Sequence, residues 1–260
     1  MMTRPLHARR IVVTRPAAQA AGLAQMIADA GGDAVVFPLL EIGPPEDPRP
    51  LQGAVERLAD YALAIFVSPN AIDYALPAML AAGPWPASLQ AAVIGPSSAA
   101  QLARHGVRNV VAPAQRYDSE ALLELPALQG AALSGKGVLL LRGNGGRELL
   151  AQTLGARGAR VDAVSCYQRR APADAAPIAE LLDAGRLDAL TLSSSEGLRN
   201  LLALLDARAR EQLRTLPVFV PHQRIAELAV QSGLQRVVLT AAADAGIVAS
   251  LCAYGWTEHA

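Results

Sequence analysis

Apolar residues recur along this chain in short unbroken runs and seldom alternate with polar ones. Runs occupy residues 10–14, 34–38, 63–68, 91–95 and 109–112 in the first half, and 138–142, 160–165, 188–193, 217–220 and 236–240 in the second. Continuous apolar runs of strand length predict strands covered on both faces. Each run ends in a turn of small residues and gives way to a helix-length segment, such as 17–30, 51–58, 97–105 and 119–125. Strand and helix in this alternation predict an α/β fold built on parallel sheets.

The pattern repeats. Ile11-Val12-Val13-Thr14-Arg15-Pro16 has a partner 127 residues on, in Val138-Leu139-Leu140-Leu141-Arg142-Gly143. Val67-Ser68-Pro69-Asn70 matches Ser193-Ser194-Ser195-Glu196, and Ala100-Gln101-Leu102-Ala103 matches Ala226-Glu227-Leu228-Ala229, both at an offset of 126. Asp118 and Asp244 keep the same offset, and each is placed to cap the helix after it. Two similar five-strand units, a duplicated domain, account for a repeat of this length. Proline marks two linkers, at 38–50 and again after Cys166-Tyr167-Gln168, where Pro172 and Pro177 lie. Each follows the second strand of its repeat.

Composition narrows the function. The chain has 260 residues, enough for one large or two ordinary domains at roughly 150 residues each. Its 52% hydrophobic and 18% charged residues exclude disorder as the main state. Twenty-three basic residues balance 23 acidic ones, which argues against nucleic-acid binding. Lys136 is the only lysine, so the other 22 cations are arginines; codon bias explains most of this, and forked carboxylate or phosphate binding could use some of them. Cys166 and Cys252 cannot build a disulfide framework. Prolines and glycines break the longest uncharged stretch, 74–103, so a membrane helix is not expected there. The expectation is a soluble, cytoplasmic, monomeric protein.

In an open parallel sheet, ligands bind beyond the carboxyl ends of the strands. Here those ends hold hydroxyls, glycines, amides and arginines, with few Asp, Glu, Cys or His side chains. Such edges suit an anion held by amide groups and helix starts better than a metal cage or a carboxylate pair. Taken singly, each hydroxyl is adequately explained as a helix cap. Residues 130–137 imitate a phosphate-binding loop, but Gly137 stands where its Ser or Thr belongs and a strand follows. Gly143-Asn144-Gly145-Gly146 follows a strand, yet Glu148 takes the place of the third glycine of a dinucleotide fingerprint. The four histidines show no zinc spacing.

Five motifs together resemble the uroporphyrinogen-III synthase family across residues 10–251. They are Val13-Thr14-Arg15-Pro16, Ser68-Pro69-Asn70-Ala71, Ile94-Gly95-Pro96 before Ser97-Ser98, Leu141-Arg142-Gly143-Asn144-Gly145-Gly146-Arg147, and Cys166-Tyr167-Gln168-Arg169. The resemblance implies two flavodoxin-like parallel-sheet lobes joined by a two-strand linker. Residues 1–37 with 170–260 would form one domain and 38–169 the other, with crossings near 36–41 and 164–169. It implies a cofactor-free lyase that closes hydroxymethylbilane into a macrocycle, inverting the last ring and losing water. Tyr167 falls on the family's tyrosine position and would be the general acid.

Substrate contacts implied in the middle of the chain are Ser68, Asn70, Ser97, Ser98, Arg142, Gly143 and Arg147. Those implied at its two ends are Arg15, Ser194, Ser195, His222 and Arg224. The chain departs from the family at 220–224, where Gly and Thr are common, and at Ser98, where Thr is frequent. No metal, nucleic acid or membrane is implied; a transient contact with the preceding pathway enzyme is compatible. The competing reading is a non-catalytic two-lobed binder of a small organic polyanion.

Overall fold

A computed structural model describes residues 4–146 and 148–256. In chain order they form β1 (Arg10–Val13), α1 (Ala17–Asp29), β2 (Asp33–Val36), β3 (Glu41–Gly43), α2 (Arg49–Glu56), β4 (Tyr61–Phe66), α3 (Pro69–Ala81), β5 (Gln90–Val93), α4 (Pro96–Arg104) and β6 (Val110–Val111). There follow α5 (Ser119–Glu124), α6 (Gly130–Leu133), β7 (Gly137–Gly143), α7 (Leu149–Ala156), β8 (Arg160–Arg170) and α8 (Ala176–Asp183). The chain ends with β9 (Ala189–Thr191), α9 (Ser195–Leu204), α10 (Ala207–Thr215), β10 (Val218–Val220), α11 (Gln223–Gln231), β11 (Val237–Leu239) and α12 (Ala243–Ala253).

The chain divides into two compact units. One joins the described residues up to Glu41 to those from Arg170 onward; the other is Ile42–Arg169. The first holds a five-stranded sheet in the order β11-β10-β9-β1-β2, and its paired strands run parallel. The second centres on a sheet in the order β3-β8-β7-β4-β5-β6, parallel from β8 through β6.

Successive residues explain why the strands read as unbroken apolar runs. In the second unit Ala64, Phe66, Ala91, Val93, Leu139 and Leu141 pack on one face of the sheet. Their neighbours Leu63, Ile65, Ala92, Val138 and Leu140 pack on the other. The first unit divides the same way: Val12, Leu190, Val218 and Val220 belong to one core, and Ile11, Val13, Ala189 and Phe219 to another. A strand with helices on both faces has no solvent side to give to polar residues.

Two sequence expectations need correcting. The proline-rich stretch 38–50 is not all linker. Between Pro38 and Pro44 it contributes β3, an edge strand hydrogen-bonded to β8, and three residues flanked by prolines carry no periodicity to find. Asp244 does not cap α12. It lies inside the first turn, Ala242 holds the cap position without a side-chain bond, and the Asp244 carboxylate pairs with Arg15. Its counterpart Asp118 does cap, accepting from the Ala121 N–H at 2.7 Å.

Leu139 is fully buried at the middle of β7. Leu139→Ala should lower the unfolding free energy by about 2–5 kcal/mol, read from the midpoint of urea denaturation, because the helices over both faces cannot collapse into the void.

Candidate functional site

The second unit gathers the more complete set of groups. Strand order reverses between β7 and β4: the connection from β7 leads outward to β8, and that from β4 leads the other way to β5. Beyond the carboxyl ends at such a switch point the adjoining loops separate and leave a crevice. A cavity of about 350 Å³ lies there, lined by Ser68, Ser119, Arg142, Gly143, Tyr167 and Arg169 among others.

Tyr167 reaches this cavity because β8 carries one extra residue. Arg142 pairs with Ser165, but the next residue of β7, Gly143, pairs with Tyr167, so Cys166 is bulged. A bulge re-aims the side chains around it. Cys166 and Tyr167 are accordingly both buried, at 0% and 5% exposure, where plain alternation would put one of them outside. The Tyr167 ring then lies against the backbone of β7. A Cβ on Gly143 would stand 2.7 Å from two carbons of that ring, so only glycine fits.

Tyr167 is held by three further contacts, two to its side chain and one to its backbone. Tyr74 stacks on it with centroids 6.1 Å apart and is itself anchored through its hydroxyl to the Ile42 carbonyl at 3.2 Å. The Asn144 N–H donates to the Tyr167 carbonyl at 3.2 Å. Ser68 Oγ lies 3.1 Å from the phenol oxygen. Ser68 also caps α3, accepting from the Ala71 N–H at 3.2 Å, so its own proton remains available to the tyrosine oxygen. The adjoining loop is fixed by Asn144, whose side chain accepts from the Arg169 N–H at 2.6 Å and donates to its carbonyl at 3.1 Å.

The other residues expected in this unit separate. Arg142 points toward the glycine loop, pairing with Glu148 at 2.7 Å and donating to the Gly146 carbonyl at 3.4 Å. Asn70 is half-buried in the first turn of α3, outside the cavity lining. Ser97 is exposed in the first turn of α4, but Ser98 is turned inward at 2% exposure, which corrects the expectation that both hydroxyls face a ligand. Gly95, not a hydroxyl, takes the cap position there. Arg147 lies outside the described residues.

The first unit has an equivalent switch point between β1 and β9. Thr14 donates to the Thr191 carbonyl at 2.6 Å, and Thr191 returns a bond to the Val12 carbonyl at 3.2 Å. Both hydroxyls are buried and tie the two strands together. Ser194 caps α9 through the Gly197 N–H at 2.9 Å, with Ser195 following in the first turn. Arg15 is engaged by Asp244. His222 and Arg224 are exposed at the start of α11, and His222 makes no capping bond among the described residues.

Burial pushes the Cys166 thiol up to about 12, and its sulfur lies 3.4 Å from the Arg142 carbonyl. It is a packed thiol, not a nucleophile. Among the described residues no three His, Cys, Asp or Glu side chains come close enough to hold a metal. Nor is any helix long and apolar enough to cross a membrane.

Sequence reasoning missed Tyr74, Ser119 and Arg169. Tyr74 had one signal, as one of only five tyrosines, six residues after the Ser68 turn. Arg169 had another, two residues from Tyr167 on the same strand. Ser119 follows the capping Asp118 and reads as an ordinary helix start.

The family described as "Uroporphyrinogen-III synthase HemD" matches residues 21–248. The chain is 34% identical over 237 residues to the uroporphyrinogen-III synthase of Escherichia coli K12, covering 90% of this chain and 96% of that protein. It is 36% identical over 239 residues to that of Salmonella typhimurium LT2, with the same coverage. In fold it is similar to a mutant uroporphyrinogen III synthase from Thermus thermophilus, at a TM-score of 0.63, 18% identity, and coverage of 93% of this chain and 96% of that one.

Two outcomes check this geometry. Gly143→Ala should force the Tyr167 ring to shift and cost about 1–3 kcal/mol of stability by urea denaturation, the usual penalty of overpacking. In thiol titration of the native protein, Cys252 should react, slowly because burial raises its pKa too, while Cys166 should react only once denaturant is added.

Proposed function

We propose a mechanism from one premise: the chain belongs to the uroporphyrinogen-III synthase family. It is a lyase of tetrapyrrole biosynthesis. Its substrate is hydroxymethylbilane, closed with inversion of the last pyrrole ring and loss of one water. The observation that carries the residue assignment is the Tyr167 phenol, 3.1 Å from Ser68 Oγ in a cavity at a strand switch point.

The chemistry asks for little beyond a proton and a shape. Tyr167 donates its proton to the terminal hydroxyl of the bilane, the carbon–oxygen bond breaks and water leaves. The pyrrole nitrogen supplies the electron pair, giving an azafulvenium. As the phenol loses its proton, the Ser68 hydroxyl donates to the phenolate. The last ring attacks through its substituted carbon to form a spiro intermediate, which opens and recloses in the inverted sense. The proton released on closure returns to Tyr167, so the net change is one water lost. The cation is stabilised by the pyrrole itself, and the enzyme acts mainly by holding a flexible chain in the reactive fold.

The substrate's acetate and propionate groups would be held by N–H groups and hydroxyls at the helix starts. Ser68, Asn70, Ser97, Arg142, Gly143 and Arg147 serve in the second unit. Arg15, Ser194, Ser195, His222 and Arg224 serve in the first. Ser98, being buried, would take part only through its backbone. We also infer that the two units descend from one duplicated unit and that β3 and β8 are the strands on which the chain passes between them. The same reversed strand order in both sheets and the 126-residue offset support this.

Turnover of hydroxymethylbilane, with isomer analysis of the product, tests the reading. Tyr167→Phe keeps the ring stacked on Tyr74 and removes only the donor. Turnover should fall about 10²-fold, the low end for general acid catalysis, with little change in KM and more uninverted product as spontaneous closure competes. A wild-type protein that binds the bilane without consuming it would be a binder, and the catalytic reading would fall.

A further inference from the structure

We propose that Tyr117 is a substrate-binding residue of this site, a ring on which one pyrrole of the bilane stacks. The proposal rests on the activity proposed above and adds a contact that the motif resemblance did not nominate. Tyr117 lies in the segment between β6 and α5, at the carboxyl edge of the second unit's sheet. It is 56% exposed, among the few large apolar side chains left open to water. It makes no hydrogen bond or ring contact among the described residues, although tyrosines usually satisfy one or the other.

Its position is defined, not loose. Arg116, immediately before it, pairs with Glu124 of α5 at 2.5 Å. Asp118, immediately after it, caps α5 at 2.7 Å from the Ala121 nitrogen. The backbone is therefore pinned on both sides of an open ring. Tyr117 Cβ stands 4.0 Å from where a side chain on Gly95 would begin, so the residue lies beside the turn that follows β5. The absence of a side chain at Gly95 leaves the space next to it open. Two residues further on, Ser119 lines the same cavity as Ser68 and Tyr167. An exposed aromatic, pinned two residues from a wall of that cavity and unused by the fold, matches a flat, electron-rich ring of the substrate. Offset stacking of such rings needs no hydroxyl.

The experiment compares Tyr117→Ala, Tyr117→Phe and wild type with hydroxymethylbilane, reading KM and kcat separately beside the urea midpoint. The expected result is a KM about tenfold higher for Tyr117→Ala, with kcat within twofold and an unchanged urea midpoint, and near wild-type values for Tyr117→Phe. A KM for Tyr117→Ala within twofold of wild type overturns the proposal. So does a Tyr117→Phe protein as impaired as Tyr117→Ala, which would assign the role to the hydroxyl, or a loss confined to kcat. Any of these three results, obtained with an active wild type, leaves the family activity standing. A wild type that consumes no bilane overturns both.

Discussion

One extra residue in β8 governs the site. Without the bulge at Cys166, strand alternation would place Tyr167 on the face opposite its present one, and its phenol would not reach Ser68. With it, Cys166 and Tyr167 both turn inward. The sulfur lies 3.4 Å from the Arg142 carbonyl, and the ring comes close enough to β7 to leave no room for a Cβ at 143. Gly143, Cys166 and Tyr167 therefore form one constraint. The bulge delivers the ring, the glycine admits it, and the thiol is buried beside them. The Tyr74 stack and the Asn144 clasp on Arg169 then remove the remaining freedom. The proposed role of Tyr167 as general acid would need this aim, since a phenol is weakly acidic and its intrinsic driving force small.

The scaffold explains why such a device sits where it does. Parallel strands sandwiched between helices have their side chains committed to two cores, so chemistry is confined to the ends of strands. In each unit the connections diverge at one pair of strands, β7 and β4 in one and β1 and β9 in the other. At the first pair the Tyr167 phenol and the Ser68 hydroxyl meet. At the second, Thr14 and Thr191 spend their hydroxyls on holding the strands together, and Ser194 caps a helix. The two switch points thus differ: a phenol faces a cavity at one, and structural hydrogen bonds tie the strands together at the other.

Much of this was legible in the sequence. The apolar runs announced parallel strands because two-sided burial writes a continuous run, and every run corresponds to a strand within a few residues. β3 was hidden because three residues between prolines have no period. The carboxyl-end residues were legible as a class, since turn and cap chemistry marks where strands stop. Their individual fates were not. Asp118 and Asp244 share spacing and residue type, yet one caps a helix and the other pairs with an arginine from a distant strand end. Ser97 and Ser98 differ only in which side of a helical turn they occupy. The bulge had no signature at all, because it is a matter of register between two strands and not of either strand's residues.

The zero net charge bears on how a polyanion is received. Two of the arginines at these edges are not bare: Arg15 is matched by Asp244, and Arg142 by Glu148 and the glycine-loop carbonyl. Glu148 is more than half exposed, and an ion pair in that setting contributes only about 0–1 kcal/mol. Under the proposed function, a substrate carboxylate would exchange one partner for another at Arg142 at little cost, and Glu148 would keep that arginine oriented until then. Under the proposed function, selectivity would fall to the spacing of the helix-start amides and hydroxyls, which only a chain with carboxylates at matching intervals could satisfy together.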